Sequence, residues 1–160
     1  MTPDLMLRLQ VEAFLYDYAA TLDDERFAEW PNFFDAEQCR YEVLSRENVD
    51  LGLPVPIMSC YSHGMARDRV AMLVQGTLTY RTMRLLRQVS NVRATTEPDG
   101  RIRARAGLTV FQSDEEGVSS LYIVGRYEAH LATSASGFRL LQMKVVVDSF
   151  GIDTMLAVPL

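Results

Sequence analysis

Apolar residues recur at helical spacing from Leu7 through Val11, Phe14 and Leu15 to Tyr18, which predicts an amphipathic first helix with one inward stripe. Thr2-Pro3-Asp4 supplies its start: a capping hydroxyl, a proline at the first helical position and an acid in the first turn. Asp23-Asp24-Glu25 is expected to open a second, shorter helix, with Phe27 and Trp30 on its inner face and Pro31 marking its end or a kink. The stretch from Phe14 to Phe34 therefore concentrates bulky apolar surface that two short helices cannot cover by themselves. Arg40 to Ser45 reads as a first strand. Asn48 to Tyr61, interrupted by Gly52, Pro54 and Pro56, reads as an irregular surface loop. Met65, Val70, Leu73 and Val74 predict a third helix that stops at Gly76.

From Thr82 onward the period changes to two. Met83 to Thr95 is a first long β run, turned back at Pro98-Asp99-Gly100. Ile102, Ala104, Ala106, Leu108 and Val110 then alternate with Arg101, Arg103, Arg105 and Thr109. Leu121 to Leu131 and Arg139 to Phe150 are two more runs, separated by Ser134-Ala135-Ser136-Gly137. Strands this long must twist and coil, and Gly107 and Gly125 are expected to mark bulges that bend them. The pattern predicts an α+β fold, a strongly curved sheet whose concave face is plugged by the N-terminal helices. With 160 residues and no internal repeat or linker, the expectation is one domain over 1–160.

The net charge of −5 argues against a nucleic-acid partner, because affinity for phosphate backbones needs clustered cations. Lys144 is the only lysine, so arginine carries nearly all the positive charge. The N-terminus lacks a basic region followed by an apolar one, and no apolar run approaches the ~20 residues of a membrane span. Cys39 and Cys60 form no metal or redox motif and read as reduced thiols, so a cytoplasmic location is expected.

Candidate chemistry is sparse. A mononuclear iron triad needs two histidines and a carboxylate. The only histidines are His63, beside the proline-rich loop, and His130, on a polar strand face with Arg126 and Glu128. No Ser lies in a nucleophile elbow and no phosphate-binding glycine loop is present. Asp17 could serve as a general base if it faced the cavity, assisted by His63, but it lies off the apolar stripe and is expected to point to solvent. Arg67-Asp68-Arg69 and the Arg101, Arg103, Arg105 row read as groups facing water or the acids of a partner.

One set of motifs, in order along nearly the whole chain, resembles a known family. It comprises Trp30 to Phe34, Cys39-Arg40-Tyr41, Arg46-Glu47-Asn48, Gly52-Leu53-Pro54, Met65 to Arg69, Val147-Asp148-Ser149 and Pro159-Leu160. The chain is similar in these to the small (β) subunit of aromatic-ring-hydroxylating Rieske dioxygenases, most closely the salicylate- and terephthalate-type enzymes. The resemblance implies the NTF2-like (cystatin-like) fold, a cone-shaped barrel. It also implies a non-catalytic role with no catalytic, cofactor-binding or metal-ligating residue in this chain. By the same resemblance the chain forms a homotrimer beneath catalytic α subunits in an α3β3 assembly. Those α subunits carry the Rieske [2Fe-2S] cluster and the mononuclear non-haem iron. Similar subunits often carry Arg-His in the first long strand, whereas this chain has Arg87-Gln88. The alternative is a stand-alone cone-fold isomerase or dehydratase using Asp17 and His63, and a third possibility is a small-ligand binding module.

Overall fold

The computed structural model describes residues 2–76, 82–149, 151–152 and 156–160. Helix α1 runs from Pro3 to Asp23, with the Thr2 side chain accepting a hydrogen bond from the Leu5 N–H at 3.4 Å. Its predicted stripe faces inward: Val11, Leu15 and Tyr18 are buried, joined by Ala19 and Leu22. Asp23-Asp24-Glu25 ends this helix instead of opening a second one. Asp24 caps it and Glu25 turns the chain at φ 58°, a left-handed conformation that no helix can continue through. Beyond this turn the chain winds into a 3₁₀ helix, Phe27–Phe33, with Trp30 and Pro31 buried.

Strand β1 (Arg40–Ser45) is succeeded by a short helix α2 (Arg46–Asp50) and strand β2 (Met58–Cys60). The segment expected to be irregular throughout thus holds two elements. Ser45 caps α2 by accepting from the Asn48 N–H at 3.2 Å, and β2 pairs with β1 through Tyr41↔Cys60. Helix α3 spans His63–Val74 and stops at Gln75-Gly76, where Gly76 has φ 70°. Strands β3 (Arg84–Thr96), β4 (Ile102–Ser113), β5 (Ser119–Ser134) and β6 (Gly137–Val147) form an antiparallel meander.

Among the described residues the six strands make one sheet in the order β2-β1-β6-β5-β4-β3, and β1 runs parallel to β6. The edge strands β2 and β3 do not pair with each other, so the sheet is open, and α1, the 3₁₀ helix and α3 complete the cone around its inner face. Three register shifts kink the long strands: at Asn91-Val92 in β3, Tyr122 in β5 and Leu141 in β6. Asn91 takes φ 53°, a conformation asparagine tolerates better than most side chains.

The two strand glycines do not make these bulges. They sit where backbones approach closely. A Cβ at Gly107 would lie 2.8 Å from Ser90 Oγ, and one at Gly125 would overlap the Val146 carbonyl oxygen. The first obstacle is a side-chain tip that can rotate; the second is backbone. Gly125→Ala is therefore expected to force β5 and β6 apart at a cost of about 1–3 kcal/mol, whereas Gly107→Ala costs less. The urea midpoints of the two variants, compared with the parent, check this ordering.

The β4 alternation appears as read. Ile102, Ala104, Ala106, Leu108 and Val110 are buried in the cone and Arg101, Arg103 and Arg105 are exposed. On that outer face Arg105 lies opposite Glu128, Glu128 opposite Lys144, and Lys144 opposite Glu42. Oppositely charged cross-strand neighbours of this kind each contribute some tenths of a kcal/mol.

Candidate functional site

The interior of the cone is polar at its centre. Tyr18 comes from α1, Trp30 from the 3₁₀ helix, Tyr41 from β1, Arg87 from β3 and Tyr127 from β5. Each lies at an inward strand or helix position, and each is at most 5 % exposed. The large rings pack edge to face: Trp30 on Tyr41 with centroids 5.1 Å apart, and Tyr18 on Tyr127 at 5.9 Å.

Hydrogen bonds link these groups to the Pro159-Leu160 segment. Trp30 Nε1–H donates to Tyr18 Oη at 3.0 Å, and the Tyr18 hydroxyl donates to the Leu160 carbonyl at 3.1 Å. The Leu160 N–H donates to Tyr41 Oη at 2.8 Å. Arg87 Nη1 donates to Asp23 Oδ1 at 2.6 Å, its main-chain N–H donates to Oδ2 at 3.0 Å, and Nη2 donates to the Pro159 carbonyl. Leu160 itself is fully buried. The interior is thus filled by tyrosines, the tryptophan and Leu160. Within the bulky apolar stretch from Phe14 to Phe34, Trp30 and Phe34 are buried, while Phe14 and Phe33 are only partly so.

Two buried donors in this cluster have no partner among the described residues, Arg87 Nε and Tyr127 Oη. Unpaired buried donors cost on the order of 1–3 kcal/mol each, so both call for an acceptor.

Burial pushes the phenols of Tyr18, Tyr41 and Tyr127 well above the usual tyrosine range. For Tyr18 the two neighbouring phenols add to that effect. The folded state therefore holds these protons more tightly than the unfolded chain, whose phenols ionise near 10. Stability is complete below about pH 10 and falls as pH rises above it, by up to about 1.4 kcal/mol per phenol per pH unit. Urea midpoints at pH 9, 10 and 11 should fall steeply over the last interval, with tyrosinate absorbance from these residues appearing only on unfolding.

Asp17 lies outside the cone, exposed as its off-stripe position predicts. It lines an open groove of about 650 Å³ between α1, the 3₁₀ helix and the β5–β6 hairpin, together with Phe14, Glu29, Phe33, Phe138 and Arg139. His63 is the first residue of α3, after its cap Ser62, and does not line that groove. The general base and its assistant are not brought together, which removes the geometry the isomerase or dehydratase alternative needs. His130 sits on the outer sheet face with Nδ1 3.6 Å from Glu97. Both cysteines are free and buried, and burial, with Cys60 beside it, pushes the Cys39 thiol up to about 11. Among the described residues no group of three His, Cys, Asp or Glu could hold a metal ion, and no helix is long and apolar enough to cross a membrane.

Arg69 of the Arg67-Asp68-Arg69 cluster turns inward and its Nη1 donates to the Ala157 carbonyl at 3.4 Å. Arg87 is the member of the Arg87-Gln88 pair that enters the cone, while Gln88 is exposed. Sequence reasoning missed the role of Arg87 and Asp23. The available signal was a lone arginine at an inward position of an otherwise apolar β run.

Comparison with known proteins agrees with this architecture. The family described as Ring hydroxylating beta subunit matches residues 18–154. The small subunit of anthranilate 1,2-dioxygenase from Burkholderia cepacia is 32% identical over 164 aligned positions, covering 100% of this chain and 98% of that one. A crystal structure from Novosphingobium aromaticivorans, assigned as the β subunit of an aromatic-ring-hydroxylating dioxygenase, superposes with TM-score 0.86 at 31% identity, covering 98% of each chain. An NTF2-like protein with a cystatin-like fold from the same organism shares the fold at TM-score 0.67 and 13% identity, covering 92% of this chain and 85% of the other. The chain belongs to the family of ring-hydroxylating β subunits, the non-catalytic small components of multicomponent aromatic-ring dioxygenases.

Proposed function

We propose that this chain is the assembly subunit of a cytoplasmic oxygenase that hydroxylates an aromatic acid, and that it has no active site of its own. The observation that carries this reading, beside family membership, is the closed interior: the space an enzyme of this shape would give a substrate is filled by Trp30, three tyrosines and Leu160. The single domain packs as a homotrimer against three α subunits, which bring the Rieske [2Fe-2S] cluster and the mononuclear iron. The aromatic-acid substrate class is supported by the anthranilate enzyme to which the similar small subunit belongs.

Co-expression with the neighbouring open reading frame tests the proposal. The expected result is a brown, iron-containing hetero-oligomer, with a mass by light scattering that fits three copies of each chain. Asp17→Asn in that complex is expected to leave oxygenase turnover within about twofold of the parent, since Asp17 lies outside the cone. A monomer that alone isomerises or dehydrates a small cyclic substrate, or total loss of turnover in Asp17→Asn with assembly intact, overturns the proposal.

A further inference from the structure

Two of the sequence motifs, Arg46-Glu47-Asn48 and Gly52-Leu53-Pro54, meet on the outer surface. The loop after α2 presents Leu51, Leu53, Val55 and Ile57 to solvent, with Leu51 65% and Val55 60% exposed. Aliphatic side chains at alternate positions of one loop form an apolar patch of the kind that marks an interaction site. The loop is built, not slack. The Leu53 N–H donates to the Asn48 carbonyl at 2.8 Å, Asn48 Nδ2 donates to the Val55 carbonyl at 3.0 Å, and the Ile57 N–H donates to the Val43 carbonyl at 2.7 Å. Pro54 and Pro56 fix φ on either side of Val55. This apolar projection is therefore ordered before any partner arrives, which favours binding.

The same chain carries a seat of matching chemistry. The open groove of about 650 Å³ outside the cone is floored by Phe14, Phe33 and Phe138, packed edge to face with centroids 5.6 and 6.0 Å apart. Aromatic-lined grooves accept extended proline-bearing segments, which lose little freedom on docking. Charge matches as well. Glu47, one helical turn before Leu51, makes no ion pair or side-chain hydrogen bond among the described residues. In the groove, Arg139 donates to the Phe138 carbonyl and to Ser136 Oγ, and has no carboxylate partner among the described residues. We propose that the 51–57 loop of one copy of this chain docks in the Phe14-Phe33-Phe138 groove of the next, with Glu47 pairing with Arg139 across the contact. The docking uses the rings and Arg139, not the Asp17 carboxylate at the rim. Loop and groove are different patches, so the interface is heterologous: each copy lends a loop to one neighbour and a groove to the other, and repetition closes a ring. This assigns the surfaces of the homotrimer proposed above and rests on that reading.

The test uses the full chain, alone and co-expressed with the iron-bearing partner, and counts copies by sedimentation velocity. Val55→Asp charges an exposed side chain, so circular dichroism should match the parent. The concentration at which the trimer half-dissociates should nevertheless rise about tenfold or more, because a carboxylate cannot enter an apolar seat unpaired. Glu47→Arg and Arg139→Glu should each raise it about threefold. Combined, they should return it to within about twofold of the parent, since the pair is rebuilt with its signs exchanged. A trimer indifferent to Val55→Asp, or a double variant no better than the worse single one, overturns the docking and leaves the homotrimer standing. A Val55→Asp chain that stays trimeric but no longer recovers the iron-bearing partner gives the loop to that partner and overturns the docking too. A parent with fewer than three copies in both preparations overturns the homotrimer itself, and the docking with it.

Discussion

Arg87→Met is expected to lower stability by about 3–5 kcal/mol, measured as the urea midpoint by circular dichroism at neutral pH. The methionine keeps the apolar stem and removes the charge. The Arg87 side chain is fully buried, whereas that of Asp23 retains 15% exposure. Removing the arginine strands the Pro159 carbonyl and leaves Asp23 with only the main-chain N–H of position 87. Asp23→Asn should cost less, because the amide oxygen can still accept from Arg87 and the side chain reaches some water. Low and high salt should give nearly the same loss, since a buried pair is screened little. A loss below about 1 kcal/mol would show that α1 and β3 are held together without this pair.

Trp30→Ala should be comparably damaging, at about 3–5 kcal/mol. The indole is fully buried and meets Phe34 and Tyr41 edge to face at 5.3 and 5.1 Å. It also donates to Tyr18 Oη, so its loss frees the hydroxyl that holds Leu160. Trp30→Phe separates the two contributions: most of the packing returns and only the N–H is lost, so the deficit should shrink to about 1–2 kcal/mol. Circular dichroism is the proper readout because the substitution removes the only tryptophan. Equal losses in the two variants would place the whole effect in the hydrogen bond.

Much of the fold is legible in the sequence because its signals are local. The α1 stripe and the β4 alternation are periodicities within single elements, and each buries the face it predicts. The end of α1 is not legible, because Asp-Asp-Glu suits a helix start and the deciding fact, φ 58° at Glu25, leaves no mark in composition. Strand β2 escapes notice because it is three residues long and exists only by pairing with β1. The bulges fall at Asn91, Tyr122 and Leu141 and not at the glycines, since a register slip is settled between strands. The Arg87–Asp23 bond joins positions 64 apart in sequence, so no local pattern could announce it. The outward direction of Asp17 is legible, because a helix fixes direction from spacing alone.

The parallel pairing of β1 with β6 also sets a schedule for synthesis. Arg40 finds its sheet neighbour only when Gln142 has been made. At 5–20 residues per second, the nascent chain carries β1 with that edge bare for on the order of 5–20 s. The β3–β4–β5 meander can meanwhile zip up through hairpins, so β6 arrives last and stitches the two halves together. Folding should therefore be slow for a chain of this size, limited by a long-range closure, and an emerging chain halted before β6 should be prone to aggregate through β1.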